Sequence, residues 1–181
     1  SMPIEELRRI RGGKIGMIFQ EPMTALSPLH RIGDQLAEAA QLHRELGGAE
    51  ARALGLDWLK RVGLPDAEQR MKDYPHQLSG GMRQRVMLAM AMLPEPELII
   101  ADEPTTALDV TIQAQILSEV QKLARSRHTA VIWISHDLAV VSALADDIAV
   151  MYAGRIVERG PARSVLANPA HPYTRGLIGS V

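Results

Sequence analysis

The chain of 181 residues contains no cysteine, and aromatic residues make up only 3% of it. The first absence excludes disulfide bonds, thiolate metal sites and a cysteine nucleophile. The second argues against an aromatic platform that stacks on single-stranded nucleic acid. A net charge of −1 supplies no broad basic surface, and no apolar run approaches the roughly 20 residues of a membrane-spanning helix. The 46% of residues that are apolar are enough for a globular domain with a substantial core.

Apolar strands alternate with amphipathic helices along the second half of the chain. Strands that are apolar throughout indicate a parallel sheet covered on both faces, so the sequence predicts an α/β fold. Ala153-Gly154, between two short strands, indicates a hairpin at the sheet edge. Helical patterns between residues 31 and 74 indicate a small all-helical insertion. The predicted helices span 5–11, 34–46, 50–62, 79–93, 111–125, 138–145 and 161–167, and the predicted strands span 14–19, 98–101, 130–134, 148–152 and 155–158.

Two adjacent carboxylates, Asp102 and Glu103, follow the apolar strand over 98–101. In an open α/β sheet, ligands sit beyond the carboxyl ends of the strands. An acid there can hold magnesium, and its neighbour can orient and deprotonate an attacking water. The alternative is that the two acids only form the turn after the strand. The continuation Pro104-Thr105-Thr106-Ala107-Leu108-Asp109 favours the functional interpretation.

Ser79-Gly80-Gly81 opens the helix predicted over 79–93. Glycines let backbone amides approach an anion closely, and the positive end of the helix dipole adds to the attraction. Ser79 can also donate its hydroxyl. The alternative is that Ser79 only caps the helix. The position of this triplet within residues 78–85, just before the acid pair, favours an anion site.

Three further polar residues follow or precede predicted elements, and each has an ordinary explanation. His136 can donate a hydrogen bond to a terminal phosphate, but taken alone it is better explained as a neighbour of a helix cap at Ser135 or Asp137. Gln20 can ligate magnesium through its side-chain oxygen, or it is simply a polar loop residue. Asp109 is explained equally well as the N-cap of the next helix.

Taken together, residues 20, 78–85, 98–109 and 132–136 resemble the nucleotide-binding subunit of an ATP-binding cassette (ABC) transporter. The resemblance implies a partial P-loop NTPase (RecA-like) parallel sheet with an inserted α-helical subdomain. It also implies ATP and Mg²⁺ as cofactors and ATPase activity. The implied domains are a core remnant over 1–30, the helical subdomain with the signature motif over 31–93, an α/β core over 94–160, and the start of a C-terminal extension over 161–181.

The resemblance assigns roles in nucleotide handling to particular residues. Gln20 matches the Q-loop glutamine, which contacts magnesium and senses the membrane subunit. Asp102 matches the Walker B aspartate that holds the metal, and Glu103 matches the catalytic glutamate. His136 matches the switch histidine.

Other assigned roles concern the contact with a second ATP-binding subunit. Ser79, Gly80 and Gly81 match the signature motif, which holds the γ-phosphate of ATP bound to the opposite subunit. Asp109 matches the D-loop aspartate at the dimer seam. The implied partners are therefore a second ATP-binding subunit, either an identical copy or a paralogue, and membrane-spanning permease subunits that the helical subdomain docks on. Nucleic acid is not an implied partner.

Residues 19–28, residues 78–85 and His171-Pro172-Tyr173-Thr174 resemble the oligopeptide, dipeptide and nickel importers. The implied role is to power bacterial uptake of peptides or of nickel complexes. The implied location is peripheral, at the cytoplasmic face of the inner membrane.

The phosphate-binding loop of the form G-x-x-x-x-G-K-[ST] is absent from this chain. Only Lys14 follows a glycine, and in that register Arg8 replaces the first glycine and Ile15 replaces the serine or threonine. We therefore expect the later part of a cassette, with no appreciable ATPase activity by itself. We also expect exposed apolar sheet surface, and with it self-association or a rearranged core. The alternatives are a non-catalytic module that acts through a partner cassette and a soluble ABC ATPase outside transport.

Overall fold

A computed structural model describes residues 2–20, 25–105 and 108–180. The chain forms two compact units, Ser1–Ile134 and Ser135–Val181. Residues 21–24 of the importer-like motif over 19–28, and residues 106–107 after the acid pair, lie outside the described residues.

The first unit contains a three-stranded parallel sheet in the order β1-β2-β3. This confirms the α/β class and the parallel sheet expected from the sequence. The strands of this unit are β1 (Ile15–Ile18), β2 (Leu98–Asp102) and β3 (Ala130–Ile134), and its helices are α1 (Ile4–Ile10), α2 (Ile32–Arg44), α3 (Gly48–Arg61), α4 (Ala67–Arg70), α5 (Gly80–Met92) and α6 (Val110–Arg127), with a 3₁₀ turn at Pro75–Gln77.

One face of this sheet is packed and the other is open. Side chains alternate between the faces of a strand, and Ile18, Ile99 and Ala101 on the packed face are fully buried. On the opposite face Met17, Ile132 and Ile134 are 46%, 50% and 47% exposed. These side chains are about half exposed, so the expectation of cover on both faces is wrong for the described residues of the first unit. We call the surface formed by Met17, Ile132 and Ile134 the open sheet face.

Helix α5 packs closely on the first strand and fixes where the signature triplet lies. A Cβ atom on Gly16 would lie 2.7 Å from the carbonyl oxygen of Ala91, so only glycine permits this approach of helix and strand. Helix α5 also packs on α3, and α3 packs on α2. Leu36, Trp58 and Leu59 are buried in that helical layer.

The second unit contains a hairpin and three short helices: α7 (Leu138–Leu144), β4 (Asp147–Tyr152), β5 (Arg155–Pro161), α8 (Ala162–Ala167) and α9 (Pro172–Ile178). The hairpin was expected at the edge of the parallel sheet, and this is wrong, since β4 and β5 form a separate two-stranded antiparallel sheet. Ala153 and Gly154 both have positive φ, at 48° and 74°. Two consecutive positive φ values suit the tight turns that join such strands.

Helix α9 was not predicted from the sequence, and in the structure hydrogen bonds hold its start. The imidazole of His171 accepts a hydrogen bond from the Tyr173 N–H at 3.1 Å. The carboxylate of Glu158 accepts from the N–H groups of Ala170 at 2.8 Å and His171 at 3.0 Å. The nearby Thr174 hydroxyl and these two N–H groups lower the pKa of Glu158. This carboxylate therefore ties β5 to the residues just before α9.

His43, near the end of α2, lies against the backbone of Gly12, where an added Cβ would be 2.8 Å from the imidazole Nε2. Burial lowers the pKa of His43, because a partly desolvated imidazole prefers to be neutral. The unfolded chain therefore binds a proton at higher pH than the folded chain does.

We predict that stability falls as the pH is lowered below the ordinary histidine pKa of about 6.5. Above that pH the His43 imidazole is neutral in both the folded and the unfolded chain, so its protonation takes nothing from the free energy of unfolding. The substitution His43→Gln should flatten this part of the pH profile of thermal unfolding, whereas the matched substitution at exposed His76 should not. An unchanged profile in His43→Gln would contradict the assignment.

Candidate functional site

The register of β1 and β2 places Gln20 and the acid pair at one edge of the sheet. Ile18 pairs with Ala101 in parallel orientation, so Gln20 and Glu103 each lie two residues beyond paired positions. Asp102 is the last residue of β2 and pairs with Ile134. The carboxyl ends of parallel strands are where ligands bind in open α/β sheets. The structure therefore brings these polar residues to the expected edge.

Glu103 lies in an unusual backbone conformation at this edge. Its φ is +49°, a left-handed conformation that costs a non-glycine residue about 1–2 kcal/mol. Its N–H donates to the carbonyl oxygen of Ile134 at 3.0 Å. Pro104 and Thr105, which follow it, are buried. The turn after β2 is therefore fixed by the neighbouring strand and by packing, and such backbone strain is often found at functional sites.

Ser79 caps α5: its hydroxyl oxygen accepts a hydrogen bond from the N–H of Met82 at 3.3 Å. The structure therefore confirms that Ser79 caps the helix, and the anion-binding role of Ser79 stays a prediction. Ser79 and Gly80 are nevertheless exposed, and a Cβ on Gly80 would meet nothing within 4 Å. Packing among the described residues does not explain the glycine, although glycine at a helical position costs roughly 1 kcal/mol relative to alanine.

Asp109 caps α6 by accepting from the N–H of Ile112 at 3.0 Å. His136 belongs to the second unit, two residues after Ile134, and it is exposed. Its neighbour Asp137 caps α7, accepting from the N–H groups of Ala139 and Val140 at 2.9 and 3.3 Å. The ordinary explanations for Asp109 and for the residue beside His136 therefore hold, and the functional roles stay predictions.

The oxygen atoms at the edge of the sheet fit a hard cation. Mg²⁺ is usually held by one or two carboxylates together with substrate phosphates rather than by an all-protein cage. Within the described ranges no group of three or more His, Cys, Asp or Glu side chains converges on one point. Asp102, with Gln20 at the adjacent strand end, supplies the small oxygen donor set that such a site requires.

Sequence reasoning passed over Gln84, which is only 1% exposed. Its side-chain amide donates to the carbonyl oxygen of Pro104 and, at 3.5 Å, to that of Glu103. The signal was present in the sequence: Gln84 shares a helical face with the buried residues Met87, Leu88 and Ala91. A polar residue at such a core position requires partners.

A groove in the helical part of the first unit was also not foreseen. Its volume is about 770 Å³. Leu29 at its rim is 81% exposed, and the Arg31 guanidinium lies 5.7 Å from the centre of the Tyr74 ring. We call it the Tyr74 groove, and its lining includes Pro28, Leu29, Arg31, Lys72, Tyr74 and His76.

The family of this chain follows from its similarity to known proteins. The ABC transporter family matches residues 3–106, more than half of the chain. This chain belongs to the ABC transporter family. The C-terminal region family of oligopeptide and dipeptide transporters matches residues 157–181 of this ABC chain, which include most of β5 together with α8 and α9.

Individual relatives and solved structures agree with this affiliation. The chain is 54% identical over 177 residues to the dipeptide transport ATP-binding protein DppD of Bacillus subtilis, covering 98% of this chain and 53% of that protein. It is 52% identical over 181 residues to the oligopeptide transport ATP-binding protein OppD of Escherichia coli, covering 100% of this chain and 54% of that protein. The chain therefore spans about half the length of these curated relatives.

Among solved structures, a dimeric ATP-binding cassette in a post-hydrolysis state with bound ADP and Pi matches with a TM-score of 0.81 and 30% identity. The match covers 90% of this chain and 69% of that one. The ABC cassette fold is thus confirmed, and so is the resemblance to peptide importers. No helix in the described part of the chain has the length and apolar character needed to cross a membrane.

Proposed function

We propose that this chain is part of the ATP-hydrolysing subunit of an ABC importer of peptides. The observation that carries the proposal is the β1–β2 register, which brings Gln20, Asp102 and Glu103 to one edge of the sheet. The names of the relatives refer to dipeptide and oligopeptide transport and support peptide over nickel complexes as cargo. The proposed location is peripheral, at the cytoplasmic face of the bacterial inner membrane.

The proposed chemistry follows from the residues at this edge. Asp102 and Gln20 would hold Mg²⁺ through oxygen atoms. When bound, the ion neutralises the charge that develops on the phosphates during transfer. Glu103 accepts a proton from the attacking water and orients it. The family resemblance, rather than this edge, assigns His136 of the second unit the role of donating a hydrogen bond to the terminal phosphate.

The start of α5 is proposed to contact ATP held by a second cassette. Ser79 donates its hydroxyl, and the first amides of the helix add the positive end of its dipole. The open space around Gly80 supports this, because a glycine that its own fold does not require is explained by a closely approaching partner. Asp109, at the exposed start of α6, is proposed to lie at the seam between the two cassettes.

The chain by itself has no phosphate-binding loop motif, so we propose that it turns over no ATP alone. Phosphoryl transfer depends on positioning and charge stabilisation of a held phosphate. A non-catalytic module that acts only through a partner cassette is the alternative for this chain. If the chain is part of a catalytic subunit, ATP hydrolysis requires Glu103 once a phosphate-binding loop is supplied. If the chain is a non-catalytic module, ATP hydrolysis does not require Glu103.

We predict that a chimera in which this chain replaces the matched 54% of E. coli OppD hydrolyses ATP. Glu103→Gln should lower its ATP turnover by at least about a hundredfold, since general base catalysis contributes that much. The matched control Glu50→Gln, at an exposed position in the first turn of α3, should leave turnover unchanged. ATP turnover is measured by phosphate release.

Two results would count against these assignments. Activity in the chimera that survives Glu103→Gln would favour the non-catalytic module. Steady turnover by the 181-residue chain alone, abolished by Glu103→Gln, would overturn its proposed inactivity.

The Tyr74 groove is the proposed contact for the membrane-spanning permease. It lies within the first unit, and in the sequence its lining begins at Pro28, shortly after Gln20. It presents the exposed Leu29 beside cationic and aromatic side chains. Pro28 lies in its lining, as do Tyr74 and His76 on either side of Pro75. Such a pocket suits a short helix with an apolar face.

We predict that Leu29→Asp in the chimera abolishes co-purification with the oligopeptide permease subunits from membranes, because a carboxylate would enter an apolar contact. The control is Leu42→Asp, since Leu42 is also exposed, at 68%, but lies outside the groove. An equal loss of co-purification in both variants would contradict the proposal that the Tyr74 groove is the contact for the permease. Failure of the unsubstituted chimera to co-purify would favour a soluble ABC ATPase.

The open sheet face supports the proposal that the isolated chain self-associates. Met17 of β1 and Ile132 of β3 both pair with Ile100 of the central strand β2, and Ile134 lies two residues further along β3. Exposed apolar side chains grouped in this way tend to be covered by association.

We predict that the isolated chain scatters light as a species heavier than 19.8 kDa at high concentration, and that Ile132→Lys shifts it towards the monomer. The matched control Ile156→Lys changes an isoleucine that is 57% exposed on β5, in the other sheet, and should not. A compact monomer of the unsubstituted chain would refute this prediction.

A further inference from the structure

Gln84 links the signature helix to the turn that carries the acid pair. It stands on α5, five residues after Ser79, and its side chain is almost completely buried. Its Nε2 atom donates to the main-chain carbonyls of Glu103 and Pro104. The contact is to the backbone of the turn, so it acts on the position of Glu103 and not on its carboxylate directly.

The same turn is held from two other directions. The Glu103 N–H donates to the Ile134 carbonyl of β3 at 3.0 Å, and Gln113 Nε2 of α6 donates to the Thr105 hydroxyl at 3.3 Å. Glu103 has a φ of +49°, which persists only where the surroundings over-determine the backbone. From α5, Gln84 adds hydrogen bonds that restrain the backbone of this turn.

Packing alone does not account for a glutamine at this position. The neighbours of Gln84 on its helical face are apolar, and burial of an amide is costly unless both of its ends find partners. No described residue donates to its Oε1 atom. An apolar side chain of similar volume would fill the same space without that cost. The amide donor is therefore what the position requires.

We propose that Gln84 is a positioning residue that fixes, from the signature helix, the backbone turn presenting Glu103 to its reaction. The proposal rests on the proposed function for the role of Glu103, but the restraint on the turn is testable separately. Two measurements on the OppD chimera, one structural and one kinetic, keep the two claims apart.

The structural measurement is amide hydrogen exchange of the nucleotide-free chimera. In Gln84→Met, which keeps the volume but loses the donor, exchange in the peptide covering residues 99–105 should accelerate about tenfold. The matched control is Gln35→Met: Gln35 is 7% exposed and also bonds to main-chain atoms, at Ser27 and His30. That variant should accelerate exchange near residue 27 and leave 99–105 unchanged.

The kinetic measurement is ATP turnover of the same variants. Gln84→Met should lower kcat by about ten- to hundredfold, the scale of a misplaced catalytic group, with KM for ATP unchanged. If Gln84→Met does not fold, Gln84→Asn keeps an amide that is too short to reach the turn and should give the same pattern.

Unchanged exchange over 99–105, or acceleration spread evenly over the chain, would overturn the proposal. So would accelerated exchange at the turn with an unchanged kcat. A chimera without any ATP turnover would count against the proposed function, and the exchange measurement would still decide whether Gln84 holds the turn.

Discussion

The parallel pairing of β1, β2 and β3 is the constraint on which the candidate site depends. Because the strands run in the same direction, the residues after Ile18 and Ala101 lie at the same edge of the sheet. Gln20, Asp102 and Glu103 are far apart in sequence, and hydrogen bonds between neighbouring backbones bring them together. Helix α5 is then fixed on this sheet by its close approach to Gly16, which sets the start of the signature helix relative to the strands.

The capping and functional interpretations of the polar residues prove compatible. Ser79 and Asp109 both accept hydrogen bonds from helix N–H groups, so each has a local structural role. A helix N-terminus that needs an oxygen acceptor is also a place that attracts anions. Local capping and phosphate recognition therefore favour the same residue types at the same positions, and the presence of one does not exclude the other.

The two faces of the parallel sheet show how a strand pattern can mislead. The strands are apolar throughout, a pattern typical of burial on both sides, yet in the first unit Met17, Ile132 and Ile134 on one face are about half exposed. An apolar strand sequence indicates that its side chains are stable when buried. It does not show which helix or strand buries them. The hairpin β4–β5 makes a similar point, since its strands pair only with each other within the described residues.

The sequence by itself determined the family, the α/β class, and most helices and strands to within a few residues, and it predicted the residues of the candidate site. These features depend on local patterns: apolar periodicity, capping residues, glycines and contiguous motifs. Only the tertiary structure decided the open sheet face, the separate hairpin sheet, helix α9 held through Glu158, and the contact of Gln84 with the turn at Glu103. Each of these depends on residues distant in the chain meeting in space, and hydrogen bonds and packing between distant segments leave only weak traces in a single sequence.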